Sequence, residues 1–86
     1  MNNLQDFRKE INNIDRSILE LLQKRFEVAK EIGLLKMDSN VEDNDREQEL
    51  FAMYKSIGNE LGLDKEFVRV IFQKIIDESK NIQRKI

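Results

Sequence analysis

From Leu4 to Leu35 the apolar residues fall at Leu4, Phe7, Ile11, Ile14, Ile18, Leu21, Val28, Ile32 and Leu35, spaced by three and four residues in strict alternation. Only position 25 interrupts the series, where Arg25 stands in the place of a hydrocarbon. A strand cannot use such spacing, because its side chains alternate faces every residue, whereas an α-helix gathers them into one stripe. The average period of 3.5 residues makes that stripe a seam for a partner helix, with left-handed supercoiling. The chain has no proline, and glycine occurs only at 33, 58 and 62. It therefore reads as helix with short breaks. The predicted fold class is all-α, with three helices per chain and a very long first one.

That length bears on assembly. A helix from residue 4 to about 36 extends roughly 50 Å, whereas a compact globule of this size measures only about 30 Å across. The first helix must overhang, and an overhanging apolar seam is costly in water. A second copy laid against it removes the cost, so an intertwined homodimer is expected. With 86 residues the chain reads as a single domain near the lower limit of a self-sufficient core.

The second helix is expected to begin in "NDRE", with Asn44 as N-cap and Glu47 three residues on as a capping box. Its stripe is Leu50, Phe51, Met53, Tyr54, Ile57 and Leu61, and "GNELGLD" ends it. Asp64 then caps a third helix running to the C-terminus. Phe67, Val68, Ile71, Phe72, Ile75, Ile76, Ile82 and Ile86 form the apolar face of that helix, with Ser79 and Gln83 set among them.

Cysteine and histidine are absent, which removes disulfides, thiolate and imidazole nucleophiles, common zinc sites and the commonest general base. Fifteen Lys and Arg against seventeen Asp and Glu leave a formal charge of −2. The two signs are interspersed, so no basic stripe offers itself to nucleic acid. No apolar run approaches the ~18 residues of a membrane span. A soluble, cytoplasmic protein is expected, with neither nucleic acid nor membrane among its partners.

The polar residues on apolar faces are the candidate site. Arg25 alone could pack its stem at the seam and send its guanidinium to solvent. Lys36, however, lies about 20° around the helix from it and roughly 16 Å further along. Both cations look the same way, with room for a small anion between. Arg8 lies about 25 Å from Arg25 on a straight helix. It could reach such a pocket only from an antiparallel partner, and otherwise it is a solvated charge. Ser79 could simply bond back to a carbonyl of its own helix. Gln83, one turn on, must find partners for its amide or lose a few kcal/mol to desolvation. Arg46 and Glu47 extend the inner stripe of the second helix with charge, although a surface pair and a cap would account for them, and Asp43 could be an ordinary loop acid. Together these residues suit a small ligand with two carboxylates and a hydroxyl. Arginine grips carboxylates bidentately, and an amide donates without titrating.

The stretches "FRKEINNIDRSILELLQKRFEVAKEIGLLK", "DNDRE" and "FQKIIDESKNIQ" resemble the all-helical chorismate mutases over nearly the whole chain. The resemblance implies an intertwined homodimer that converts chorismate to prephenate, on the route to phenylalanine and tyrosine, without a metal or other cofactor. It implies that Arg25, together with Arg8 of the other chain, holds the substrate carboxylates, with Arg46 and Ser79 supporting that end. Lys36 and Gln83 would contact the ether oxygen, and Glu47, with the backbone around Asp43, the ring hydroxyl. The connection "MDSNVED" is slightly shorter than in enteric members of the family, and Glu42 stands where a basic residue is common. Two alternatives remain: an isochorismate pyruvate lyase on the same scaffold, and a non-catalytic helical dimerisation or regulatory module. The second would use the seam but have no need of Arg25, Lys36 and Gln83 together.

Overall fold

A computed structural model describes residues 3–36 and 43–86. Within them the chain forms α1 (Leu4–Leu35), α2 (Asn44–Glu60) and α3 (Lys65–Arg84), and no strand. Most of the "MDSNVED" connection, including Glu42, lies outside the described residues.

Local chemistry sets each boundary. Asn3 caps α1 in a reciprocal box: Asp6 N–H donates to Asn3 Oδ1 at 3.0 Å, and Asn3 N–H donates to Asp6 Oδ2 at 3.3 Å. The second helix corrects the expected cap, because Asn44 is already helical. Asp43 is the N-cap, its Oδ1 accepting from Arg46 N–H at 3.1 Å. An acid at that end also suits the helix dipole. The helix ends within "GNELGLD", as expected, with Gly58 buried inside its last turn. The break comes at Gly62, whose φ of 73° is the left-handed conformation that glycine tolerates best. Leu63 N–H donates to Gly58 O at 2.8 Å and Gly62 N–H to Asn59 O at 3.2 Å, the paired bonds of a Schellman ending. Asp64 caps α3 as expected, accepting from Phe67 N–H at 2.9 Å. In the first turn that follows, a hydrogen bond and then the charge of Arg69 hold the Glu66 carboxyl below the usual carboxylate range.

The third helix packs against both of the others, while the backbones of α1 and α2 do not approach each other closely. Tyr54, Val68 and Ile76 make the small buried centre, with Leu50, Phe51 and Phe72 partly buried around it. Tyr54 stacks on Phe72 with ring centroids 3.9 Å apart and meets the edge of Phe51 at 5.7 Å. On α1 the buried residues are Ala29 and Gly33. A Cβ at Gly33 would lie 3.1 Å from Gln83 Cγ and 3.2 Å from Gln83 Cα, so glycine is what lets α1 and α3 approach there.

The rest of the seam faces outward. Ile11, Ile14 and Ile18 are each more than half exposed. The radius of gyration is 16.1 Å and the longest extent 57 Å, against about 12 Å for the radius of a compact chain of this length.

Candidate active site

Arg25 leaves the line of the seam and turns toward α3 and α2. Its Nη1 donates to Ser79 Oγ at 2.6 Å and its Nη2 to Tyr54 OH at 3.4 Å. Ser79 is buried, and its hydroxyl in turn donates to Ile75 O at 3.0 Å. Ser79 thus bonds back to its own helix, the simpler of its two sequence readings, and its oxygen also receives the guanidinium. These bonds fix the plane of Arg25, so a guest meets a preset fork rather than a flexible chain.

Around this guanidinium lies a cavity of about 430 Å³. Helix α1 contributes Arg25, Ala29 and Ile32, with Lys36 at its C-cap. The start of α2 contributes Asp43, Arg46 and Glu47, and α3 contributes Ile76, Ser79, Lys80 and Gln83. Seven of the eight residues singled out from the sequence thus line one cavity. Arg8 does not line it; it is exposed in the opening turns of α1.

The bland expectations for the other polar residues are met only in part. Arg46 does form a surface pair, with Glu49 Oε2 at 3.3 Å and both side chains more than half exposed. Glu47 caps nothing. Its Oε2 pairs with Lys80 Nζ at 3.0 Å, with side-chain exposures of 21% and 15%. Lys80 and the Tyr54 hydroxyl are site features that the sequence reading missed. For Lys80 a signal existed: it follows Phe72 and Ile76 at intervals of four and so continues the inner stripe of α3 with a cation, as Arg25 does on α1. For Tyr54 the signal was weaker, a hydroxyl on a buried stripe that needed a partner.

No helix among the described residues is long and apolar enough to cross a membrane, and no described group of acids could hold a metal ion. Chemically, the cavity has fixed donors and an excess of cations over an apolar floor, which favours a small, partly apolar anion.

The amino-acid sequence of this helical chain has relatives among known proteins. Residues 7–84 match the family described as chorismate mutase type II. A protein of Methanocaldococcus jannaschii named "Chorismate mutase" is 30% identical over 83 residues, covering 94% of this chain and 84% of its own length. Proteins named "Bifunctional chorismate mutase/prephenate dehydratase" are also similar. That of Buchnera aphidicola subsp. Schizaphis graminum is 37% identical over 99% of this chain, and that of Escherichia coli K12 36% identical over 91%. The chain spans only 23% and 21% of those two relatives. It belongs to the chorismate mutase type II family, a family of isomerases.

Proposed function

We propose that residues 1–86 form one domain that catalyses the Claisen rearrangement of chorismate to prephenate, and that it does so as an intertwined homodimer. The observation that carries this reading is the convergence of Arg25, Lys36, Arg46 and Gln83, from three helices, on one cavity. The bifunctional relatives bear two activities in their name. The protein that this chain matches over most of its length is named for the mutase alone, so that activity is the one carried over.

The reaction suits a site without histidine or cysteine. One C–O bond breaks as one C–C bond forms in a single concerted step, with no nucleophile, proton transfer or cofactor. The site must hold the enolpyruvyl arm over the ring and stabilise the negative charge growing on the ether oxygen. Arg25, with Arg8 of the second copy, clamps the two carboxylates, and Arg46 and Ser79 support that end. Lys36 and Gln83 donate to the ether oxygen. Glu47, with the backbone at Asp43, holds the ring hydroxyl. A millionfold acceleration requires about 8 kcal/mol, and one preorganised donor typically supplies about 3 kcal/mol. Two donors and the clamp are of the right size.

The homodimer is supported by the exposed seam and by the position of Arg8. About 25 Å of helix separates Arg8 from Arg25 in one chain, but an antiparallel copy brings the start of its α1 past the middle of the first.

The test is direct. Purified protein mixed with chorismate should abolish its ultraviolet absorbance far faster than the spontaneous reaction, and Lys36→Ala should lower kcat at least a hundredfold. Isochorismate, run in parallel, tests the lyase alternative. Full activity in Lys36→Ala, or no turnover of chorismate, would end the assignment.

A further inference from the structure

The cavity proposed for a dianion contains two acids, and each needs an account. Asp43 is occupied in capping α2 through Arg46 N–H. Glu47 is not capping, and a bare carboxylate there would repel both carboxylates of the guest. From α3, Lys80 reaches Glu47 Oε2 at 3.0 Å, and its side chain is only 15% exposed. An ammonium so far removed from water is costly unless it is paired. Its place after Phe72 and Ile76 aims it into the cavity, which it lines together with Ser79 and Gln83.

We propose that Lys80 is a positioning and charge-compensating residue: it neutralises Glu47 and fixes that carboxylate, so that Glu47 can accept the substrate's hydroxyl without repelling its carboxylates. The inference rests on the chorismate mutase reading of the cavity. With Oε2 engaged by Lys80, Oε1 is the oxygen assigned to the hydroxyl. Lys80 acts through Glu47, and no bond of the reaction passes through it. Specificity follows from the same pair, since a guest lacking the hydroxyl leaves Glu47 without its second hydrogen bond.

The experiment is a double-variant cycle on the full chain, with kcat and KM for chorismate measured for Lys80→Met, Glu47→Gln, the double variant and Lys80→Arg, and thermal melts recorded alongside. Lys80→Met should raise KM by about tenfold or more, with a smaller change in kcat. Lys80→Arg, which keeps the charge, should stay near wild type. The double variant should show a lower KM than Lys80→Met alone, because a neutral amide still accepts the hydroxyl but no longer repels the guest. A lysine that merely ties α3 to α2 gives a different pattern: the double variant is as impaired as Lys80→Met, or worse, and KM follows the melting temperature. That pattern, or an unchanged KM in Lys80→Met, overturns the proposal. If Lys80→Met does not fold, Lys80→Gln removes the same charge and carries the same comparison. An inactive wild-type protein would instead remove the mutase reading itself, a result separate from any behaviour of the variants.

Discussion

At Gly33 the first and third helices come so close that an added methyl group would press on the backbone of Gln83. Gln83 and Lys36 are the two donors assigned to the ether oxygen, so the spacing at this glycine sets the spacing of the donors. Gly33→Ala should therefore lower kcat by about tenfold or more, since small misplacements of catalytic groups are costly. Steady-state kinetics on the folded variant checks this. The identity of residue 83 governs the response to pH. An amide does not ionise, so activity should persist from weakly acidic through neutral pH. In Gln83→Glu the new carboxyl can donate only while protonated, and once ionised it places negative charge beside an oxygen that is gaining it. That variant should be most active in acid and lose activity as pH rises toward neutrality; a flat profile would count against residue 83 at the breaking bond. Residues of this kind are legible in a sequence when they interrupt an apolar face, as Arg25, Ser79 and Gln83 do. Lys80 interrupts one too, but a long cation near a helix end also reads as surface. The clustered acids and amides of "DND" offered several caps of similar quality, and only geometry selects Asp43 over Asn44.

Each helix is set by its ends as much as by its face. The existence of all three, the Asp64 cap and the end of α2 within "GNELGLD" could be read from period and cap chemistry, but not which of its glycines makes the break. Gly58 packs inside the helix with Val68 close by, because close helix contact favours glycine as much as a turn does. The true stop is at Gly62, where the backbone turns left-handed. Asp64 has no place in the cavity, so its cap can be tested apart from function. Asp64→Ala should cost about 1 kcal/mol, lowering the melting temperature by about 4–8 °C for a domain of this size. Its kcat and KM should remain those of the wild type. A large kinetic effect from this variant would show that α3 is not the rigid support described here.

The whole molecule is more extended than a self-contained domain, and its longest apolar stripe lies bare along half of α1. Covering the exposed half of each such side chain contributes about 1 kcal/mol per residue, which is ample over a stripe of this length to hold two copies together. Ile14→Asp places a charge in the middle of that stripe. In a monomer the change would be mild, since Ile14 is already 53% exposed. In the proposed dimer it should both separate the copies in sedimentation and remove activity, because Arg8 no longer reaches the neighbouring cavity. The overhang was legible from length alone; the distance from Arg25 excludes Arg8 of the same chain, and its proposed place in the other copy's cavity is what the family resemblance implies. The most direct test of that shared site is complementation. Arg8→Ala and Arg25→Ala, each nearly inactive by itself, are mixed in equal amounts, unfolded and refolded together. Half of the dimers are then mixed, and each carries one site with both arginines intact, so about a quarter of wild-type activity should return. If the mixture stays as inactive as its parts, the two arginines do not meet across copies, and the account of a shared site is wrong.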